Sequence, residues 1–257
     1  MNHIWSAVHT DVGIKKNINQ DALILKIANS PCGKVAFAAI CDGMGGLQQG
    51  EVASEMLSHS YEKWFRHDLP YLLQEGMTIS SFHRSLDDVT CMADEAMKQY
   101  AGKQYVQMGT TATLLLIFKE HYYIFHIGDT RVYQMTNNNI EQLTTDHTYV
   151  QQQIQRGFMS EKQAQTAATK NILLQCVGAS DSLHPEVLEG KICGPTSFLL
   201  CSDGFRHKLD KKEIFEQLNP LGVSSEEQIQ MRLELMTEWN KARGETDNIS
   251  AIALKIF

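Results

Sequence analysis

Short apolar runs alternate with longer amphipathic stretches along this chain, and the two periods divide it into strands and helices. Five segments, 34–41, 111–118, 122–127, 197–201 and 248–256, are rich in β-branched or aromatic residues and bounded by turn signals, which predicts buried strands. A further strand-like run, ALILKI, follows Asp21. Between these runs, apolar residues recur at helical spacing: Ala53, Leu57, Tyr61 and Trp64, then Phe82, Leu86, Val89, Ala93, Met97 and Tyr100, then Ile229, Leu233 and Met236. The Met and aromatic stripes read as core faces. Ser225 with Gln228 predicts a capping box at the start of the last helix. The polar insert at about 147–170 predicts two short surface helices broken at Gly157, with Ser160 and Gln163 as a second capping box.

Strands arrive in blocks rather than in strict alternation with helices. That order predicts an α+β fold, with antiparallel sheets packed together and helices on their outer faces. There is no internal repeat, low-complexity tract or Pro/Ser-rich linker, so residues 1–257 are expected to form a single domain.

Composition narrows the function. A formal net charge of −7 argues against a nucleic-acid partner, whose phosphates demand dense Lys and Arg. The start MNHIWSAVHTD lacks the basic n-region and apolar h-region of a signal peptide, and the strongest apolar run, 114–118, is far too short to span a bilayer. The expectation is a cytoplasmic protein without a membrane partner. The six cysteines form no C-x-x-C pair and none has an arginine six positions later, so they read as reduced packing residues. The ten histidines show no H-E-x-x-H spacing, which argues against a zinc site.

The stretch AAICDGMGGLQQGE at 38–51 places an aspartate at the end of an apolar run and three glycines just after it. A dinucleotide fingerprint counted from Gly43 fails at Gln48, and a P-loop counted from Gly45 meets Glu51 where lysine is required. Aspartates recur in this setting: Asp42, Asp129 and Asp203 follow apolar or β-like segments, while Asp247 and Asp21 precede them. Carboxylates converging at the mouth of a core repel one another unless cations neutralise them. With no His or Cys in the set, the donors are hard oxygens suited to Mg²⁺ or Mn²⁺. Glycines at 43, 45 and 46 would let a carbonyl turn towards such an ion and leave room for a phosphate. The chemistry favoured is metal-assisted phosphate-ester hydrolysis. Calcium sites and plain turns use the same residue types.

Eight segments, taken in order, strongly resemble the metal-dependent serine/threonine protein phosphatases of the type 2C (PPM) class, bacterial type. They are NINQDA, ICDGMGG (40–46), GTTAT (109–113), IGDTRVY (127–133), LTTDH (143–147), NILLQCVG (171–178), LLCSDGF (199–205) and TDNIS (246–250). The resemblance implies a four-layer αββα sandwich, two antiparallel sheets flanked by helix pairs, with a small flap insert at about 147–170. It implies two Mg²⁺ or Mn²⁺ ions per chain and a third, looser one, with a metal-bridged hydroxide attacking phosphoserine or phosphothreonine. Carried over by position, Asp42 bridges both ions and Gly43 offers its carbonyl. Asp203 and Asp247 complete the other shell, Asp21 acts through bound water, and Asp129 helps hold the third ion. The implied partner is a phosphorylated protein, the target of a cognate Ser/Thr kinase, acted on by a monomer.

Three departures from the family pattern stand out. Lys16 occupies the place of the arginine that grips substrate phosphate, and lysine can act only as a point charge, with Lys15 beside it. Gln20 replaces a frequent glutamate. Met44 stands where many eukaryotic members carry a histidine proposed as general acid, as it commonly does in bacterial members, so another group must protonate the leaving alkoxide. The competing readings are a catalytically silent phosphoprotein-binding regulator that kept the fold, and an unrelated Mg²⁺-dependent hydrolase of small phosphate esters.

Overall fold

The computed structural model describes residues 3–44, 47 and 49–257, so Gly45 and Gly46 of the glycine-rich loop lie outside the described residues. Two five-stranded sheets, antiparallel throughout, form its centre. One has the order β1 (Ile4–Asp11), β10 (Ile249–Ile256), β9 (Thr196–Cys201), β6 (Arg131–Met135), β7 (Ile140–Gln142). The other runs β2 (Asp21–Ser30), β3 (Gly33–Asp42), β4 (Ala112–Phe118), β5 (His121–Ile127), β8 (Glu186–Lys191). Helices α1 (Gly50–His67) and α3 (Ile79–Gln104), joined through the short α2 (Leu69–Gln74), cover the second sheet. Helices α7 (Lys211–Leu218) and α8 (Glu226–Ala242) cover the first. The result is the expected αββα layering.

Alternation along the strands builds three apolar layers. In β3, Val35, Phe37, Ala39 and Cys41 face α1 and α3, while Ala36, Ala38 and Ile40 face the other sheet. Phe198, Leu200, Ile252 and Leu254 meet them from β9 and β10. Each large side chain buried here contributes roughly 1.5–3 kcal/mol, and a one-residue slip would turn the whole set over. Register is therefore fixed by the core, and with it the face on which every strand-end residue lies.

Among the described residues there are ten strands where the periodicity alone predicts five and a strand-like run. β1 and β8 are half-exposed edge strands with mixed polarity, and β7 has only three residues, so none carries an apolar run. The insert folds as α4 (Tyr149–Gln155) and α5 (Glu161–Thr166), with Gly157 between them at φ +75° and the Ser160–Gln163 capping box formed. At α8 the predicted box is shifted. Ser225 accepts from the Gln228 N–H at 3.2 Å, but the Gln228 Oε1 receives the Ser224 N–H at 2.7 Å instead of that of Ser225.

Candidate metal centre

Strand parity delivers the aspartates. Asp42 ends β3 in the parity of Ala38 and Ile40, and Asp21 opens β2 in that of Leu23 and Leu25; both sets face the space between the sheets. The two are direct partners in the β2–β3 ladder. Because neighbouring strands are antiparallel, the same rim receives the end of β9, the start of β10 and the β5–β6 turn. Asp203 opens the four-residue helix α6 (Asp203–Arg206) just after β9, Asp247 lies two residues before β10, and Asp129 lies in the β5–β6 turn.

Their charges meet. Burial, then the carboxylates of Asp203 and Asp247, raises Asp21 to about 7, although a hydrogen bond from Ser250 opposes the shift. Asp42 is raised well above the ordinary carboxylate range by burial, then by Asp21, Asp203, Asp129 and Asp247. Asp129 rises to about 7 through burial and Asp203, against the opposing charge of Arg206. The other four predicted aspartates thus all lie close enough to act on Asp42 at one rim.

Close packing fixes the backbone around them. The N–H of Gly43 donates to the Gln20 carbonyl at 3.0 Å, and a Cβ at Gly43 would overlap the Gly50 carbonyl oxygen. The N–H of Asp42 donates to the Thr111 hydroxyl at 2.9 Å. These contacts link the glycine-rich turn to the GTTAT segment.

Residues not singled out by the sequence hold the segments that carry Asp203 and Asp247. Asn248, almost fully buried, donates from Nδ2 to the carbonyls of Val12 (3.0 Å) and Ile18 (3.1 Å), and its Oδ1 accepts the Gln20 N–H at 3.0 Å. It thereby ties the loop carrying Lys16 to Asp247. Gly13, at φ +80°, packs so closely on the Asp247 carbonyl that a side chain would overlap it. Lys16 Nζ lies 3.0 Å from Asp247 Oδ1. Glu245 Oε1 accepts the N–H groups of Thr246 (2.7 Å) and Asp247 (3.0 Å), while its Oε2 lies 3.4 Å from His207 Nδ1. The other ring nitrogen of His207 lies 3.5 Å from Asp203 Oδ2. Burial alone would raise Glu245, but His207 and the two N–H donors bring it to about 2. Glu245 and His207 so connect the segments that present Asp203 and Asp247. Their proximity to aspartates in the sequence was the only available signal.

A second buried network joins the rim to the insert. Arg131 holds Asp146 in a two-pronged contact of 2.8 and 2.7 Å, and Arg206 Nη2 lies 3.3 Å from Asp146 Oδ2 and 3.6 Å from Asp129 Oδ2. Asp146 comes from the LTTDH segment immediately before the insert.

Among the described residues, His126, His147 and Glu186 form another compact set, with potential ligand atoms within 4.8 Å of one another. Its donors differ from the aspartates, and both rings are already engaged. Gln175 Nε2 (2.8 Å) and the Gly128 N–H (3.2 Å) donate to His147 Nδ1, and Gln175 is itself fixed by reciprocal bonds of 2.8 and 2.7 Å to the His184 backbone. This assigns the His147 proton to Nε2. His126 places Nδ1 2.7 Å from the Thr113 hydroxyl and Nε2 3.1 Å from the Thr145 carbonyl, and burial, then His147, lowers it to about 3. So bonded, the histidines offer an ion no free lone pair.

The aspartate rim passes the corresponding test. Asp21 Oδ2 is buried without a hydrogen-bond partner, an acceptor left for a cation or its water. The mutual repulsion that raises Asp21, Asp42 and Asp129 is what a divalent ion would relieve, and the donors are all oxygen. A cavity of about 420 Å³ beside the insert is lined by Asp146, His147, Thr148, Gln152 and Glu186, among others, but by none of the five aspartates.

The family model for protein phosphatase 2C matches residues 13–239, and the chain belongs to that family. It is 27% identical over 256 residues to the protein phosphatase PhpP of Streptococcus pneumoniae, covering 94% of this chain and 93% of that one. It is also 26% identical over 218 residues to the serine/threonine phosphatase stp of Listeria welshimeri, covering 84% and 82%. The fold superposes on the serine/threonine phosphatase Stp1 of Staphylococcus aureus with a TM-score of 0.85 at 24% identity, covering 100% of this chain and 96% of that one. The catalytic domain of the serine/threonine phosphatase PstP, solved with two manganese ions, superposes with a TM-score of 0.76 at 22% identity, covering 99% of each chain.

Proposed function

We propose that this chain is a metal-dependent phosphatase of phosphoserine and phosphothreonine in proteins. One observation carries the reading: five aspartates from separate strand ends gather at a single rim, where burial and the neighbouring carboxylates raise Asp21, Asp42 and Asp129 above the ordinary range. Family membership and the donor set support the choice of Mg²⁺ or Mn²⁺. When bound, two such ions supply Lewis-acid activation of water and neutralise charge on the transferring phosphoryl group.

The chain's own residues have separable tasks. Asp42, the Gly43 carbonyl, Asp203 and Asp247 would hold the two ions, with Asp42 common to both and Asp203 and Asp247 as direct ligands of one of them. Asp129 would help hold a third, looser ion. Asp21, opposite Asp42, accepts a hydrogen bond from water at the rim through its unpartnered Oδ2. Lys16 neutralises the substrate phosphate as a point charge. Met44 has no proton to donate, so the leaving alkoxide takes its proton from another group.

The reading extends to a single catalytic domain with the 147–170 insert as its flap, working in the cytoplasm as a monomer on targets of a cognate Ser/Thr kinase. No helix among the described residues is long and apolar enough to cross a membrane. The test is turnover of p-nitrophenyl phosphate and a phosphothreonine peptide with and without Mn²⁺. Turnover that depends on Mn²⁺ and disappears in Asp42→Asn supports the assignment; no turnover by the metal-replete wild-type protein refutes it.

A further inference from the structure

The loop between β1 and β2 combines two properties that rarely coincide. Its backbone is tightly held: Asn248 binds the carbonyls of Val12 and Ile18, and Gly13 packs against the Asp247 carbonyl. Yet it turns large apolar side chains outward, with Ile14 55% and Ile18 56% exposed and Val12 at 36%. Isolated surface isoleucines are ordinary. Here, two of them flank one functional position on a fixed segment.

That position is Lys16, whose ammonium lies 3.0 Å from a carboxylate of the metal centre. Ile14 and Ile18 are each two residues from Lys16, so their Cα atoms lie within roughly 7 Å of its own. A phosphate held by Lys16 at the aspartate rim therefore brings the neighbouring residues of its peptide over this loop. The loop offers them apolar contact and, through Lys15 and Lys16, positive charge only for the phosphate itself.

We propose that Ile14 and Ile18 form a docking rim that selects phosphoproteins with apolar residues beside the phosphorylated serine or threonine. The inference rests on the phosphatase reading above and names the substrate class of that same site. The occupant is an extended phosphopeptide, chosen because Ile14 and Ile18 lie two residues either side of the cation assigned to phosphate. Pre-anchoring by Asn248 and Gly13 lowers the ordering cost of binding, since the loop need not be fixed by its ligand.

The experiment compares kcat/KM for two phosphothreonine peptides of equal length, one with Leu and Val flanking the phosphoresidue and one with Asp at those places. It uses the full chain with Mn²⁺, and p-nitrophenyl phosphate as a substrate without flanks. The expected result is a preference of about tenfold for the apolar peptide, on the scale of hydrophobic pocket discrimination. In the double variant Ile14→Ser/Ile18→Ser that preference should shrink towards unity. Turnover of both peptides at equal rates by the wild-type protein overturns the docking rim while leaving the phosphatase assignment intact. An undiminished preference in the double variant also overturns it. Absence of turnover on all three substrates overturns both readings.

Discussion

Asp21 sits directly opposite Asp42 in the β2–β3 ladder, the first residue of one strand facing the last of its neighbour. Like charges placed opposite one another destabilise a sheet, and burial deepens the penalty for both. A fold that keeps such a pair at the mouth of its core is arranged to receive positive charge there.

This arrangement has a pH signature. In the metal-free protein Asp21 titrates at about 7, against an ordinary value of 3.8, because of burial and then the neighbouring carboxylates. Between these values the folded chain holds protons that the unfolded chain has released, so folding stability falls as pH rises through the window. The thermal midpoint in excess chelator should therefore decrease from about pH 5 to about pH 8 through this group. Bound Mn²⁺ competes with those protons, so the midpoint gained by adding it should be larger at the higher pH. Thermal melts in the two conditions check this; a gain independent of pH would contradict it.

Lys16 is expected to limit substrate grip rather than chemistry. Its single ammonium cannot match the two parallel hydrogen bonds that a guanidinium gives to phosphate. Lys16→Arg should lower KM for a phosphothreonine peptide several-fold with little change in kcat, and Lys16→Ala should raise it. Steady-state kinetics separate the two parameters. A fall in kcat without a change in KM on removing the lysine would place it elsewhere in the reaction.

Glu245 and His207 together connect the segments of Asp203 and Asp247 without belonging to the predicted ligand set. Outer-shell partners of metal ligands typically cost 10- to 100-fold in metal affinity or activity when removed, so Glu245→Gln should weaken Mn²⁺ binding by roughly tenfold. Calorimetric titration with Mn²⁺ reads this directly. Unaltered affinity would reduce Glu245 to a local turn cap.

Much of this was legible in the sequence because it depends on short-range rules. Period-two alternation marked the central strands, and the five aspartates stood out by lying at strand ends. What escaped detection depends on tertiary placement. Asn248 and Glu245 flank Asp247, yet nothing in GETDNIS reveals that one binds a loop more than two hundred residues earlier and the other meets His207. Arg206 acquires its role only when α6 lies against the turn bearing Asp129. β1 and β8 lacked an apolar signal because polar and half-exposed residues interrupt both of their faces. At α8, adjacent Ser224 and Ser225 gave Gln228 two amides to choose from, and it chose the first.

The most direct measurement of the central claim is anomalous scattering from crystals of the protein grown with Mn²⁺. Two manganese ions sharing the Asp42 carboxylate, with Asp203 and Asp247 in contact with one of them, is the predicted result. Manganese bound instead at His126, His147 and Glu186, with the aspartate rim empty, would contradict it.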